Sequence, residues 1–389
     1  MTQIIKPEKK TPEVADILYH HLDDYKAEYP LWPEHRKIIS DLLNCRTAHL
    51  GGHIERCDNC GLIRITYHSC RNRHCPKCQH MPRERWLEKR KDEILPVSYF
   101  HVVFTLPHEL NTVILNNKKV MFNILFKAAA RTLLTFGSNE LNGNLGFLTV
   151  LHTWDQKLNA HVHLHCLVAG GVMSTGKKRW LPVKNDYLFN EEALSRVFRG
   201  KFMERLKHAR KTGEFKFVGR SYGEFKSMLY VKNWVVSVRD PVKRPEHVLE
   251  YLARYTHRVA IANSRIKKLE NGMVSFTIKN RKKKRTETIT ITAVEFIRRF
   301  LLHSLPKGFV RIRHYGFMAN RNRNENLDAI RQLIGVSAPL KKEVATLEEM
   351  MLQLTGTDIT TCPCCTKGKM QFFSEIPKSR AGPPTQLVC

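Results

Sequence analysis

The stretch HVHLHCLVAGG (161–171) alternates with period two. Side chains on a strand alternate faces, so His161, His163 and His165 share one face. Val162, Leu164 and Cys166 share the other and belong in a core. Three imidazoles in a row are costly to bury without partners, which points to a metal site rather than a satisfied core residue. GFLTVLHTW (146–154) reads as a second strand, and the short turn between the two makes a hairpin. With that turn centred near Lys157, His152 lies opposite His163 on the same face.

Working outward, SYFHVVFTL (98–106) is a strand and residues 108–134 form a long helix with apolar residues at helical spacing. GSNELNGN (137–144) reads as a loop. Residues 191–210 are helical with Asn190 as cap, and 245–258 are helical with Pro245 in the first turn. Short strands follow near VAIANSRI, GMVSFTIKN and ETITIT, with NRKKKRTE (280–287) as a hairpin loop whose basic tip is either solvated or set against DNA backbone. Strand, helix, hairpin, helix and strand imply an α+β fold with antiparallel pairs, in a ferredoxin-like layout.

Residues 11–45 read as two helices. Thr11 is the expected N-cap with Pro12 at the first position, and Pro30 and Pro33 separate off a second helix from about His35 to Cys45. RERWLEKRKDEIL (83–95) is a short charged helix, and one helix or two and a polar tail follow Asn320. The expected divisions are an amino-terminal helical and zinc-binding module over 1–95, a catalytic domain over 96–320 and a carboxy-terminal segment over 321–389.

The chain of 389 residues is 42% hydrophobic, enough for a real core. Lysine and arginine number 65 against 36 acids, a net charge of +29. Such a field attracts a polyanion and releases its counterions, so nucleic acid is the natural partner. No apolar run is long enough to span a bilayer, and MTQIIKPEKKTPEVADI lacks the core of a signal peptide. A cytoplasmic protein without a membrane partner is expected.

In a cytosolic chain, close cysteine pairs imply metal rather than disulfides. Cys57-Asp-Asn-Cys60 and Cys75-Pro-Lys-Cys78 are two such knuckles, expected to complete one closed, structural four-cysteine zinc site. Cys45, Cys70, His53, His68 and His74 lie close by; core or surface roles are expected of them, with ligand exchange or a second site as the alternative. Cys362-Pro-Cys364-Cys365 looks like half a zinc ribbon. Arg71 and Arg73, with Lys77, Arg83 and Arg85, crowd around the knuckles and would grip DNA. Arg311, Arg313, Arg321 and Arg323 alternate with His314, Tyr315 and Phe317, a mixture suited to single strands. Tyr315 itself reads as structural or DNA-contacting.

Tyr251 and Tyr255 are four residues apart in the expected helix, hence on one face. Periodicity alone makes Val248, Tyr251, Leu252 and Tyr255 an ordinary apolar stripe. The chain, however, resembles the rolling-circle insertion-sequence transposases of the HUH endonuclease superfamily, in the two-tyrosine class (the IS-ninety-one family). The resemblance rests on His163-Leu164-His165 followed by CLVAGG, on SCRNRHCPKCQ (69–79), HVVFTLPHELN (101–111), YLARYTHRVAIANSRI (251–266) and RIRHYGFMANRNR (311–323).

That resemblance implies a HUH core in which His163 and His165, with one further ligand, hold Mg2+ or Mn2+. His152 leads as the third ligand, with Asp155, Gln156 and Glu250 as rivals. It implies that Tyr251 and Tyr255 attack DNA, leaving a 5′ phosphotyrosine that conserves energy for rejoining. Arg254, His257 and Arg258 flank the pair and would position phosphates or cap the helix. The implied partner is single-stranded DNA at element ends, in the nucleoid of a bacterium, with self-association left open. Two other readings remain: a replication initiator or relaxase with the same chemistry, and a zinc-dependent DNA-binding protein without catalysis.

Overall fold

The computed structural model describes residues 11–217, 219–244, 247–248, 256, 259–280, 283–338 and 345–379. The helices are α1 (Val14–Glu28), α2 (Pro33–Leu43), α3 (His80–Lys91), α4 (Asn111–Asn116), α5 (Lys118–Leu141), α6 (Glu191–Lys211), α7 (Tyr222–Val231), α8 (Ala293–Leu302), α9 (Arg323–Leu333) and α10 (Leu347–Thr355). The strands are β1 (Gly52–Cys57), β2 (Ile63–Tyr67), β3 (Tyr99–Thr105), β4 (Gly143–Trp154), β5 (Ala160–Ser174) and β6 (Trp180–Pro182). They continue as β7 (Val235–Val242), β8 (Ile266–Glu270), β9 (Met273–Asn280), β10 (Arg285–Thr292), β11 (Ile312–Tyr315) and β12 (Met370–Ile376).

Contacts divide the chain into two compact units. One gathers Met1–Pro82, Val259–Leu301 and Lys342–Cys389; the other gathers Arg83–Arg258 and Leu302–Lys341. These units do not run as three consecutive segments broken at 95 and 320, because β12 near the end of the chain pairs with β1 near its start.

The second unit is built on a sheet ordered β11-β4-β5-β3-β7, antiparallel at every pairing, with β6 added beside β5. In chain order β3, β4, β5 and β7 are the first to fourth strands, so the sheet reads fourth, first, third, second. With α5 and α6 as the crossovers, this is the ferredoxin-like βαββαβ arrangement, an α+β fold as expected. The period-two alternation of β5 decides what each face carries. Val162, Leu164, Cys166 and Val168 lie in one apolar core with Phe122, Leu125 and Phe126 of α5 and Phe198, Phe202 and Leu206 of α6. Helix α5 is long and apolar enough to cross a membrane, yet 67% of that window is buried, as befits a core helix. Leu148, Val150, Leu167 and Ala169 face the other way and pack with Tyr99, Phe317, Leu327 and Ile330.

In the first unit α1 and α2 bury Ile17, Leu18, Ile38 and Leu42. One small sheet is ordered β12-β1-β2 and another β10-β9-β8. The second is backed by α8, where Phe296 meets Phe276 edge-on at 5.7 Å. The hairpin expected around 280–287 is present, with Asn280 opposite Arg285.

Several local expectations are corrected. The loop placed at 137–144 is mostly helix: α5 runs to Leu141 and ends on Asn142 in the left-handed conformation. Helix α1 starts later than expected, with Glu13 rather than Thr11 at its cap and the Glu13 amide bonded to Asp16 at 2.8 Å. VAIANSRI is not a strand until Ile266. The fourth core strand is β7, a segment not expected as a strand, with several of its positions exposed. The polar tail holds a strand, β12, whose exposed phenylalanines break the apolar alternation.

Edge strand β11 leaves the sheet through Gly316, at φ +62°. A Cβ there would sit 1.5 Å from the Leu145 carbonyl oxygen, a backbone atom that cannot step aside. Gly316→Ala is therefore expected to destabilise this unit by about 2 kcal/mol or more. Calorimetry would show a fall in Tm of several degrees; an unchanged Tm would contradict the packing described.

Candidate metal centre and cysteine clusters

The pairing of β4 with β5 places His152 directly opposite His163. One ring nitrogen each from His152, His163 and His165 lies within 4.8 Å of the others. His152 and His163 are buried, and His165 is partly exposed. The two Nε2 atoms of His163 and His165 stand 3.1 Å apart. Neighbouring imidazoles on one octahedral cation at about 2.2 Å would be separated by about 3.1 Å.

The outer nitrogens are held as well. The Nδ1 of His163 lies 2.8 Å from the His161 carbonyl, which can only accept, so the proton sits on Nδ1 and Nε2 keeps its lone pair. The Nδ1 of His165 lies 2.8 Å from Nε2 of His101, a buried histidine on β3. His152 stacks on Trp154 at 5.0 Å between centroids. His161 is not in the trio; its side chain is exposed, although desolvation by the surrounding protein draws its pKa below the ordinary value.

Of the rival ligands, Asp155 is spent on the hairpin turn. One carboxylate oxygen accepts from the amides of Lys157 and Asn159, both at 2.8 Å, and the other from the Asn159 side chain at 2.9 Å. Gln156 is partly exposed on the same turn. Glu250 lies outside the described residues. So do Tyr251, Tyr255, Arg254, His257 and Arg258. Val248, three residues before Tyr251, is described: it is buried against the apolar cluster of Tyr99, Leu148, Val150, Leu167 and Ala169. That is the sheet face on which His152, His163 and His165 stand.

The two amino-terminal CxxC pairs do not meet, which corrects the single site expected of Cys57, Cys60, Cys75 and Cys78. Cys75 and Cys78 instead close with Cys45 and Cys70. The chain leaving α2 delivers Cys45, and Sγ separations are 3.4 Å to Cys78 and 3.6 Å to Cys75, with Cys70 at 3.6 Å from Cys78. Their neighbours pull in opposite directions: hydrogen bonds from Cys70 and Cys75 bring the Cys45 thiol down to about 7, while Cys45, Cys70 and Cys78 drive Cys75 up. Four sulfurs in contact cannot all ionise unless a cation lies among them, so the donor set suits a thiophilic ion. Cys57 and Cys60 sit with Cys362 and Cys365, because β12 pairs with β1 and brings the distant knuckle alongside.

The arginines divide. Arg71 and Arg321 are exposed. Arg73 is half-buried, and its guanidinium is pushed below its ordinary range by burial. Arg313 lies over the Phe126 ring at 4.0 Å and donates to Asn123 at 2.7 Å. Arg323 pairs with Glu93 at 3.0 Å. Both are engaged within the protein rather than presented to a ligand, and Arg311 is half-buried. Tyr315 stacks on Phe147 at 5.3 Å, a packing role.

Two residues escaped the sequence reading. His101 sits in the strand HVVFTL, where its period-two position beside the histidine strand was the available signal. His303 locks the turn of the hairpin: its Nε2 donates to the Leu158 carbonyl at 3.0 Å and its Nδ1 accepts from Thr153 Oγ1 at 3.2 Å. A lone histidine at a helix end carries no pattern that would announce this.

Family models match in two places: "Transposase zinc-binding domain" over residues 17–106 and "Putative transposase" over 146–326. "Putative transposase y4qJ" of Sinorhizobium fredii is 42% identical over 388 residues, covering 96% of this chain and 97% of its own. The transposase for insertion sequence element IS801 of Pseudomonas savastanoi is 24% identical over 345 residues, covering 85% and 81%. A conjugative relaxase, TrwC, solved metal-bound with oriT DNA, aligns with 41% of this chain and 70% of its own at 12% identity; the TM-score of 0.24 is too low to carry weight. The chain belongs to the IS-ninety-one family of two-tyrosine insertion-sequence transposases. It is a DNA transposase.

Burial lowers the pKa of His303 to about 4 from 6.5. Because the folded value lies below the unfolded one, this histidine's contribution is complete above pH 6.5 and is lost as pH falls from there towards 4. The full loss is about 3 kcal/mol. Urea titrations across that window should show a shallower decline for His303→Gln than for wild type; parallel declines would refute this assignment.

Proposed function

We propose that this transposase nicks and rejoins single-stranded DNA at element ends, using a metal ion held by His152, His163 and His165 and a tyrosine nucleophile from Tyr251 or Tyr255. The observation that supports it most is the shared face: the histidine trio and Val248, which leads into the tyrosine segment, belong to the same side of one sheet. The ion would polarise a phosphate and neutralise developing charge. A phenolate would attack phosphorus, form a 5′ phosphotyrosine and release a 3′ hydroxyl, so that rejoining needs no ATP.

Three imidazoles form a softer donor set than carboxylates, so Mn2+ fits this trio better than Mg2+. His101 acts here as a positioning residue, orienting the ring of His165 through Nδ1. Zinc held by Cys45, Cys70, Cys75 and Cys78 would stiffen the amino-terminal module, and Arg71 and Arg321 offer exposed charge to DNA, with Arg254 and Arg258 as further candidates beside the tyrosines. Action in the cytoplasm on the bacterial nucleoid, with self-association as an open partner, completes the reading.

The test is a denaturing gel for covalent protein–DNA adduct. Single-stranded oligonucleotides from the element's ends are incubated with wild type, Tyr251→Phe and Tyr255→Phe, with Mn2+ or with chelator. A metal-dependent adduct, lost or reduced in one variant, is expected. DNA binding without adduct on any end would favour a non-catalytic binding protein.

His101→Phe is expected to weaken Mn2+ binding by about 10- to 100-fold by calorimetry. Unchanged affinity would remove His101 from the site.

A further inference from the structure

The zinc-binding family match ends at residue 106, yet Cys57 and Cys60 find their partners at Cys362 and Cys365. We propose that these four cysteines form a second structural zinc site, separate from that of Cys45, Cys70, Cys75 and Cys78, which fastens the carboxy-terminal strand to the amino-terminal ribbon.

The distances carry the idea. Sulfurs tetrahedrally arranged around zinc at about 2.3 Å are separated by about 3.8 Å. Here Cys57 Sγ lies 3.7 Å from Cys365 Sγ, and Cys60 Sγ lies 3.7 Å from Cys362 Sγ. A disulfide would need about 2.05 Å. Each pair has two residues between its cysteines, the spacing of a metal knuckle.

The backbone is arranged to meet thiolates. The amides of Asn59 and Cys60 both point at Cys57 Sγ at 3.4 Å, and the amide of Gly368 points at Cys365 Sγ at 3.3 Å. The two knuckles also clasp each other: Lys369 donates its amide to Asp58 Oδ1 at 2.8 Å, and the Asp58 amide donates to the Lys369 carbonyl at 3.1 Å. A Cβ on Gly368 would meet Cys57 Sγ at 2.5 Å, so the close approach of the knuckles requires glycine.

The site has a structural task. Two-stranded β1-β2 is marginal alone, and β12 completes it as a third strand through the register Gly52–Ile376 to Cys57–Met370. The apolar support is small: Cys57, Leu62, Cys362 and Met370 are the buried residues of that cluster. A small core of this kind ordinarily needs a metal to hold it.

The test is metal content of the purified full-length chain by mass spectrometry, read as a difference from wild type. Cys362→Ser with Cys365→Ser should lose one zinc per chain. Cys75→Ser with Cys78→Ser should lose a different one. Cys364→Ser, at an exposed cysteine outside both clusters, should lose none. The cobalt-substituted wild type provides a reading free of any folding defect: its thiolate-to-cobalt absorption should correspond to eight thiolates, two clusters of four. Limited proteolysis should cut the 356–379 region faster in the Cys362/Cys365 variant. Wild-type zinc content in that variant, or absorption matching only four thiolates, would overturn the proposal. None of these readings depends on the adduct assay, so the two proposals fail independently.

Discussion

The register that sets His152 opposite His163 governs the second unit. A slip of one residue along β5 would carry His163 and His165 into the core of α5 and α6 and turn Leu164 and Cys166 outward. That core is what prevents it. Val162, Leu164, Cys166 and Val168 are all buried against aromatic residues of the two helices, so any odd-numbered slip would bury imidazoles and expose hydrocarbon. Packing on one face of the strand therefore sets the geometry of the other. The turn chemistry agrees, since the Asp155 carboxylate and His303 tie down the connection from both sides.

The histidine trio depends on this rigidity in a second way. A metal ligand is useful when its ring cannot rotate, and a neighbouring hydrogen bond prevents rotation and selects the tautomer. The His161 carbonyl does this for His163, and His101 does it for His165. Both supports come from the sheet itself, which is the stiffest element available. The cysteine clusters solve a different problem. The unit that holds them draws on segments from both ends of the chain and contains small sheets with modest apolar burial, so thiolate clusters stand where a larger core would otherwise be needed.

Charge distribution separates by the same logic of burial. A net charge of +29 describes the chain as a whole, but individual arginines are consumed internally. Arg313 lies on Phe126, Arg323 pairs with Glu93, and Arg331 reaches the Asp92 carbonyl and the Asp328 carboxylate. A basic motif in sequence is therefore a count of charges, whereas a binding surface is the subset left facing solvent.

Local pattern alone determined a good deal: the two-faced histidine strand, its hairpin partner, the apolar helical pattern after β3 though not its break at Asn117 into α4 and α5, the α+β class and the presence of thiolate knuckles. Each depends on spacing within one element or across one turn, and spacing is visible in a single chain. The family resemblance followed from such short motifs. Tertiary structure alone decided which knuckles meet, because Cys57 and Cys365 are brought together by pairing of strands from opposite ends of the chain. It alone brought in His101 and His303, whose partners are on other elements, and β7, whose place beside β3 is fixed by the sheet edge left open rather than by its own sequence. The physical reason is the same in each case. Periodicity reports the solvent-facing preference of residues in one element, while the identity of the element opposite is settled by which long-range pairing buries the most surface and satisfies the most backbone.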